Sequence, residues 1–235
     1  MSAVEQAAPM VFDLDETELR EVNSRLQAVK PKDNMRDFLL SNPRGKHNLA
    51  VGLDADMRAR IDGHVGFYCA GMNKRAEIVV NGHAGPGVAE NMMSGTVRVR
   101  GNASQSAGAT GHGGLLVIEG DASSRCGISM KGIDIVVAGS VGHMSAFMAQ
   151  KGHLVICGDA GGGLGDSIYE AVIFLRGKAA SLGADCVEKE MRPEHRETLE
   201  RLLREAGIEA DPAEFRRYGS ARTLYNFQVD NADAL

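Results

Sequence analysis

The sequence predicts an all-β core: a right-handed parallel β-helix of about seven 19-residue coils, with an α/β N-terminal cap and a C-terminal helix. Three observations carry this. Gly63, Gly82, Gly101, Gly120, Gly139, Gly158 and Gly177 follow one another at intervals of 19 residues without an insertion. Two and four residues before each glycine stand aliphatic residues, Ile61, Val80, Val99, Ile118, Val137, Ile156 and Leu175 in one column and Ala59, Ile78, Val97, Leu116, Ile135, Leu154 and Ile173 in the other. That alternation is the period of a short strand with one buried face. Composition agrees: 29 glycines, no tryptophan and 5% aromatics suit a core of stacked small and branched side chains rather than large rings.

Further columns are uniformly small. Val65, Ala84, Ala103, Ala122, Val141, Ala160 and Ala179 stand two after the repeat glycine; Ala70, Ala89, Gly108, Gly127, Ala146, Gly165 and Ala184 stand seven after. Small residues at fixed corners suit a chain that bends sharply inward where neighbouring layers approach closely. A five-residue strand cannot bury its face alone, but equivalent strands stacked at about 4.8 Å form a continuous parallel ladder, so seven coils make a rod of about 34 Å. Right-handed winding is expected because parallel crossover connections have that hand. The left-handed alternative uses coils in multiples of six, which 19 is not.

Both ends of such a rod need covering. Three regions follow: residues 1–58 as a strand and helix cap, 59–190 as the β-helix, and 191–235 as a C-terminal helix with a docked tail. Residues 10–14 read as a strand. Asp15 with Glu18 three residues later suggests a capping box opening a helix that ends near Val29, before Pro31. Asn42, Pro43 and Gly45 mark a turn. Pro193 to Ala206 reads as a helix with Leu199, Leu202, Leu203 and Ala206 on one face and Gly207 at its end. Phe215, Tyr218, Tyr225 and Phe227 concentrate large rings in the tail.

Charge excludes several functions. The net charge of −5 arises from 31 acidic and 26 basic residues with both signs mixed, which lacks the basic footprint of a nucleic-acid binder. No stretch reaches 18 apolar residues and the first six residues form no secretory h-region, so neither membrane nor export is expected and a cytoplasmic location is. Cys69, Cys126, Cys157 and Cys186 show no CxxC spacing; Cys69 and Cys126 share a column but lie about 14 Å apart, beyond disulfide reach. All four read as buried thiols.

Candidate chemistry is sparse. His64 and His83 follow successive repeat glycines and should stack, yet Asn102 and Asp121 continue their column, which favours a polar ladder over a metal site. His112, His143 and His153 fall in other columns. Gly158, Gly161, Gly162, Gly163 and Gly165 suggest a phosphate loop, but the next element expected is a strand rather than the helix N-terminus such a loop needs. Ser145 and Ser167 have no nucleophile signature, and Asp13 with Asp15 or Glu188 with Glu190 read as solvated charge. No acid, base and nucleophile converge, so catalytic, cofactor and metal residues are all expected to be absent and the repeat glycines to be structural. Met92, Met93, Met130, Met144 and Met148 would serve either as exposed apolar contacts or as filling of the coils.

Gly120, Ala122, Gly127 and Gly132 in residues 120–137, with Gly101, Ala103 and Gly108 in residues 101–108, resemble the G-x-A-x-x-x-x-G repeat of the GXGXG β-helix family. That family includes the C-terminal domain of the glutamate synthase large subunit and the β-helical component of formylmethanofuran dehydrogenase; the likeness covers residues 59–190. Among stand-alone members, the flanks are most similar to the β-helix subunits of N-methylglutamate synthases: the N-terminal strand and helix, residues 46–52, the C-terminal helix and residues 224–227. The doublet Gly113 and Gly114 is degenerate elsewhere, which leans away from the formylmethanofuran dehydrogenase component. The resemblance implies a non-catalytic subunit of a hetero-oligomer. Its partners would be a class II glutamine amidotransferase-like subunit and an FMN-binding, glutamate-synthase-like subunit. This chain would hold no cofactor; FMN and any iron–sulfur cluster would belong to the partner. The implied reaction turns methylamine and glutamate into N-methylglutamate and ammonia. Two alternatives stand beside it: a component of a formyl-transferring or formyl-hydrolysing complex related to formylmethanofuran dehydrogenase, and an autonomous enzyme with its site between the β-helix and the C-terminal helix.

Overall fold

The computed structural model describes residues 8–30, 33 and 36–222. They form a parallel β-solenoid of about seven turns flanked by two helices. Strand β1 (Met10–Asp13) leads into helix α1 (Leu19–Gln27) and strand β2 (Asp37–Ser41). Seven strands then follow the repeat: β3 (Arg58–Asp62), β4 (Glu77–Val80), β5 (Thr96–Val99), β6 (Leu115–Ile118), β7 (Lys131–Val137), β8 (Lys151–Ile156) and β9 (Val172–Leu175). Strand β10 (Cys186–Lys189), helix α2 (Pro193–Ala206), a short 3-10 turn and strand β11 (Arg216–Ser220) complete the described chain.

From β3 to β9 the pairing is parallel, and each strand meets its neighbour at the 19-residue offset the repeat demands, Ile61 with Val80, Val80 with Val99 and onward to Leu175. Both aliphatic columns are fully buried throughout. The column two after the glycine forms a second ladder, Val65 to Ala84 and onward to Ala179, on another side of the coil. The repeat glycines have their own reason: a Cβ on Gly82 would stand 2.5 Å from the Gly63 carbonyl oxygen, closer than any side chain tolerates.

Why the next column is small is now visible. Ala70, Ala89, Gly108, Gly127, Ala146 and Gly165 all have positive φ, from 56° to 69°. So do Tyr68, Met72, Arg125 and Met148, two residues to either side, which keep large side chains because they face outward. Left-handed backbone costs a non-glycine residue roughly 1 kcal/mol, but burial, not φ, sets the size here: a Cβ on Gly108 would come within 2.6 Å of Ile135 Cδ1. Inter-coil bonds hold the corner, such as Ala89 N–H to Cys69 O and Ala146 N–H to Cys126 O.

The ends differ from the expectation in three ways. The ladder does not begin at the first 19-residue coil, because β1 pairs with β2 and β2 with β3 in parallel. Helix α1 opens at Leu19, not after Asp15. Asp13 Oδ1 accepts the Asp15 N–H and an Asn42 amide hydrogen, and Thr17 N–H donates to Asp13 O, so a turn takes up the residues the capping box would need. At the other end β10 does not continue the parallel stack: β11 inserts between β9 and β10 and pairs antiparallel with both.

The two helices cover different parts of the rod, α1 its N-terminal end and α2 the outer side of the last four coils. Val22 and Leu26 of α1 join the core with Leu49 and Leu53, while Asn23 and Gln27, one turn apart, bond the backbone of Asn48, Ala50 and Val51 at the open loop. Helix α2 has the predicted bounds, its predicted face is buried, and Gly207 closes it in the left-handed conformation. Phe215 and Tyr218 are buried; Tyr225 and Phe227 lie outside the described residues. Met92 and Met130 fill the interior, whereas Met93 and Met148 are exposed.

Candidate functional site

The residue after each repeat glycine builds a continuous ladder along the rod. His83 N–H donates to His64 Nδ1 (2.9 Å), Asn102 N–H to His83 Nδ1 (2.8 Å), and Asp121 N–H to Asn102 Oδ1 (3.0 Å). The series continues through Ser140 N–H to Asp121 Oδ1, Asp159 N–H to Ser140 Oγ, and Lys178 N–H to Asp159 Oδ1. One side chain per coil thus accepts the backbone hydrogen of the next coil, which satisfies a group that would otherwise face solvent alone. The two imidazoles stack with centroids 4.8 Å apart and planes 11° from parallel. Beside them Asn81, Gly82, His83, Arg100 and Gly101 line an open depression of about 470 Å³.

A second polar group lies on the side covered by α2. Asp134 Oδ1 is 2.7 Å from His153 Nδ1, Arg201 Nη2 of α2 is 3.6 Å from Asp134 Oδ2, and the His153 ring stacks over Phe174 at 6.1 Å. The sequence reading leaves His153 without a partner, and the structure corrects it. Asp134 and His153 are 19 residues apart, so they occupy one column on successive coils, and the signal that reveals the pair is the polar residue one repeat away. The same offset joins Arg58 to Glu77 and Asp62 to Asn81. Nearby on α2, burial foremost and then the Arg217 charge hold the His195 pKa below its ordinary value. With a carboxylate at Nδ1, His153 is oriented as a base or proton relay would be, but the groups beside the pair are a guanidinium and an aromatic ring rather than a nucleophile.

The other candidates take the roles expected of structure. Cys69 and Cys126 are wholly buried, and burial pushes both thiols up to about 12, while Cys157 and Cys186 are raised to about 11; thiols so raised carry almost no thiolate at neutral pH. The glycine-rich corner of residues 158–165 leads into strand β9, so no helix N-terminus follows to hold a phosphate. Ser145 Oγ donates to Gly142 O, and Ser167 Oγ to Asp166. Among the described residues no three His, Cys, Asp or Glu side chains gather as a metal site requires, and no helix is long and apolar enough to cross a membrane.

Fold and side-chain placement together define a β-solenoid with one helix over its N-terminal end and one along the outer side of its last four coils, and with its coil-borne polar groups largely committed to neighbouring coils. The chain is 61% identical over 225 residues to Protein GlxC of Rhizobium meliloti (strain 1021), covering 95% of this chain and 99% of that protein, and it belongs to the family of that protein. No family model matches the chain.

Proposed function

We propose that this chain is the structural and interface subunit of a glutamate-synthase-like complex, with N-methylglutamate synthase as the particular assignment. The observation that carries the reading is the ladder: from His64 to Asp159 the polar side chain of each coil accepts a backbone hydrogen of the next and so stiffens the stack. A rigid rod supplies what coupling between two sites on other subunits requires, a fixed separation and orientation. The repeat's likeness to the GXGXG domain of glutamate synthase supports the choice of complex. The partners are a class II glutamine amidotransferase-like subunit and an FMN-binding, glutamate-synthase-like subunit, and the flavin and any iron–sulfur cluster reside on the latter.

Gentle affinity purification of the native protein, followed by mass spectrometry and a visible spectrum, tests the reading. A yellow complex containing an amidotransferase-like chain supports it; an amidohydrolase-like partner would move the chain to a formyl-transferring complex. A second reading, an autonomous enzyme, has one observation in its favour: the oriented Asp134–His153 pair beside α2. A colourless chain that purifies alone, and whose activity disappears in His153→Gln, would establish that reading and remove the scaffold.

A further inference from the structure

We propose that His64, His83 and Arg100 form a carboxylate-binding site on an outer corner of the rod. The ladder dictates the chemistry of both imidazoles. Nδ1 of each accepts a backbone N–H from the next coil, at 2.9 Å and 2.8 Å. A nitrogen that accepts such a bond carries no proton, so the neutral ring holds its hydrogen on Nε2. Two parallel rings 4.8 Å apart therefore present two Nε2–H donors side by side. A metal ion on either Nε2 would drive the ring proton onto Nδ1, where a backbone hydrogen already points, so the pair is built to donate to oxygen and not to ligate a cation.

Arg100 supplies the charge. It lines the same depression as His83, over a floor of Gly82 and Gly101 from which no side chain rises. Among the described residues it makes no ion pair. The acids of the surrounding coils are already engaged: Asp62 accepts from Asn81 Nδ2 at 2.6 Å, Glu119 pairs with Arg98 at 2.9 Å, and Asp121 Oδ1 takes the Ser140 N–H at 2.7 Å. What remains to meet a ligand is two Nε2–H donors and one guanidinium, and this set matches the two oxygens and single charge of a carboxylate better than a phosphate dianion. The carboxylate comes either from a small free dicarboxylate or from an Asp or Glu side chain of a docking protein.

The test uses the full chain with labelled histidine and arginine. Long-range proton–nitrogen spectra at neutral pH should show the Nε2–H tautomer at both His64 and His83. Glutarate should then shift the His83 Nε2 and Arg100 Nε signals saturably, and Arg100→Gln and His83→Asn should each weaken binding at least tenfold. Asn102 occupies the same column and accepts the same bond, so His83→Asn retains the ladder; if it fails to fold, Arg100→Gln alone carries the test. A blocked Gly-Glu-Gly peptide that binds more tightly than glutarate assigns the site to a protein partner, and the reverse order to a free dicarboxylate. Nδ1–H tautomers, saturation by inorganic phosphate in preference to glutarate, or unchanged binding in Arg100→Gln overturns the proposal. None of these outcomes depends on which complex the chain joins.

Discussion

Arg60, Val79 and Arg98 occupy the same outward strand position as Val117, Val136, Val155 and Phe174, one residue per coil. The interior behind them is alike. On the first three coils the position is open: Arg60 is exposed, and Val79 and Arg98 are half-buried. On the last four it is fully buried under Leu199, Leu202, Leu203 and Ala206 of α2, with Phe215, as a second core outside the solenoid. The backbone therefore offers one continuous face, and residue type decides where the helix lands. Full burial of such aliphatic and aromatic side chains is worth roughly 1.5–3 kcal/mol each, enough to fix the helix over the apolar half. Arg98 marks the border, paired with Glu119 on one side and donating to Ala206 O at the α2 C-terminus on the other.

The largest expected effect separates the two halves directly. Phe174→Ala should lower stability by about 3–5 kcal/mol, the usual loss for a buried ring, whereas Val79→Ala in the same column should cost less than about 1 kcal/mol. Urea unfolding followed by far-ultraviolet circular dichroism reads both, and equal losses would end the distinction. At the border, Arg98→Ala removes a charged hydrogen bond to the helix terminus and should cost about 1.5 kcal/mol, with increased hydrogen exchange confined to the last turn of α2; exchange rising evenly through the rod would contradict that role. Asp134→Ala releases both His153 and Arg201 at the edge of the covered half, and a loss of about 1 kcal/mol is expected. Here the ring signals of His153 give the sharper measurement, since the rotamer should cease to be fixed.

The smallest effect is a pH dependence. His195 is held below its ordinary value by burial and by Arg217, so the folded state favours the neutral ring. Its contribution is complete above the unfolded value of about 6.5 and is lost as the pH falls through the lower folded value. Between pH 7 and pH 5 the native protein should therefore lose more stability than His195→Gln. Parallel curves for the two would show that α2 does not sense this proton.

Much of this is legible from spacing alone. The coil length, the two buried strand columns, the small-residue corner, the stacked histidines and the bounds of α2 all follow from periodicity and helix punctuation. The landing place of α2 is also written there, in the change from Arg60, Val79 and Arg98 to four consecutive apolar residues at one column, but it becomes readable only when outward columns are compared coil by coil as inward ones are. The Asp134–His153 contact escapes the sequence reading for the same reason. Helix α1 starts later than its cap signal suggests because Asp13 competes with the cap for the same backbone hydrogens, a local contest that residue type leaves undecided.

By itself the sequence determined the solenoid, because neighbouring coils bond at a constant chain offset and the stacking reduces to arithmetic on 19. Only the tertiary structure decided how the ends close: that β1 and β2 extend the ladder, that Asn23 and Gln27 of α1 cover its open loop, and that β11 slips between β9 and β10. Those pairings join segments with no common period, so they depend on which exposed edge is geometrically available once the rod has formed, and no spacing in the chain encodes that.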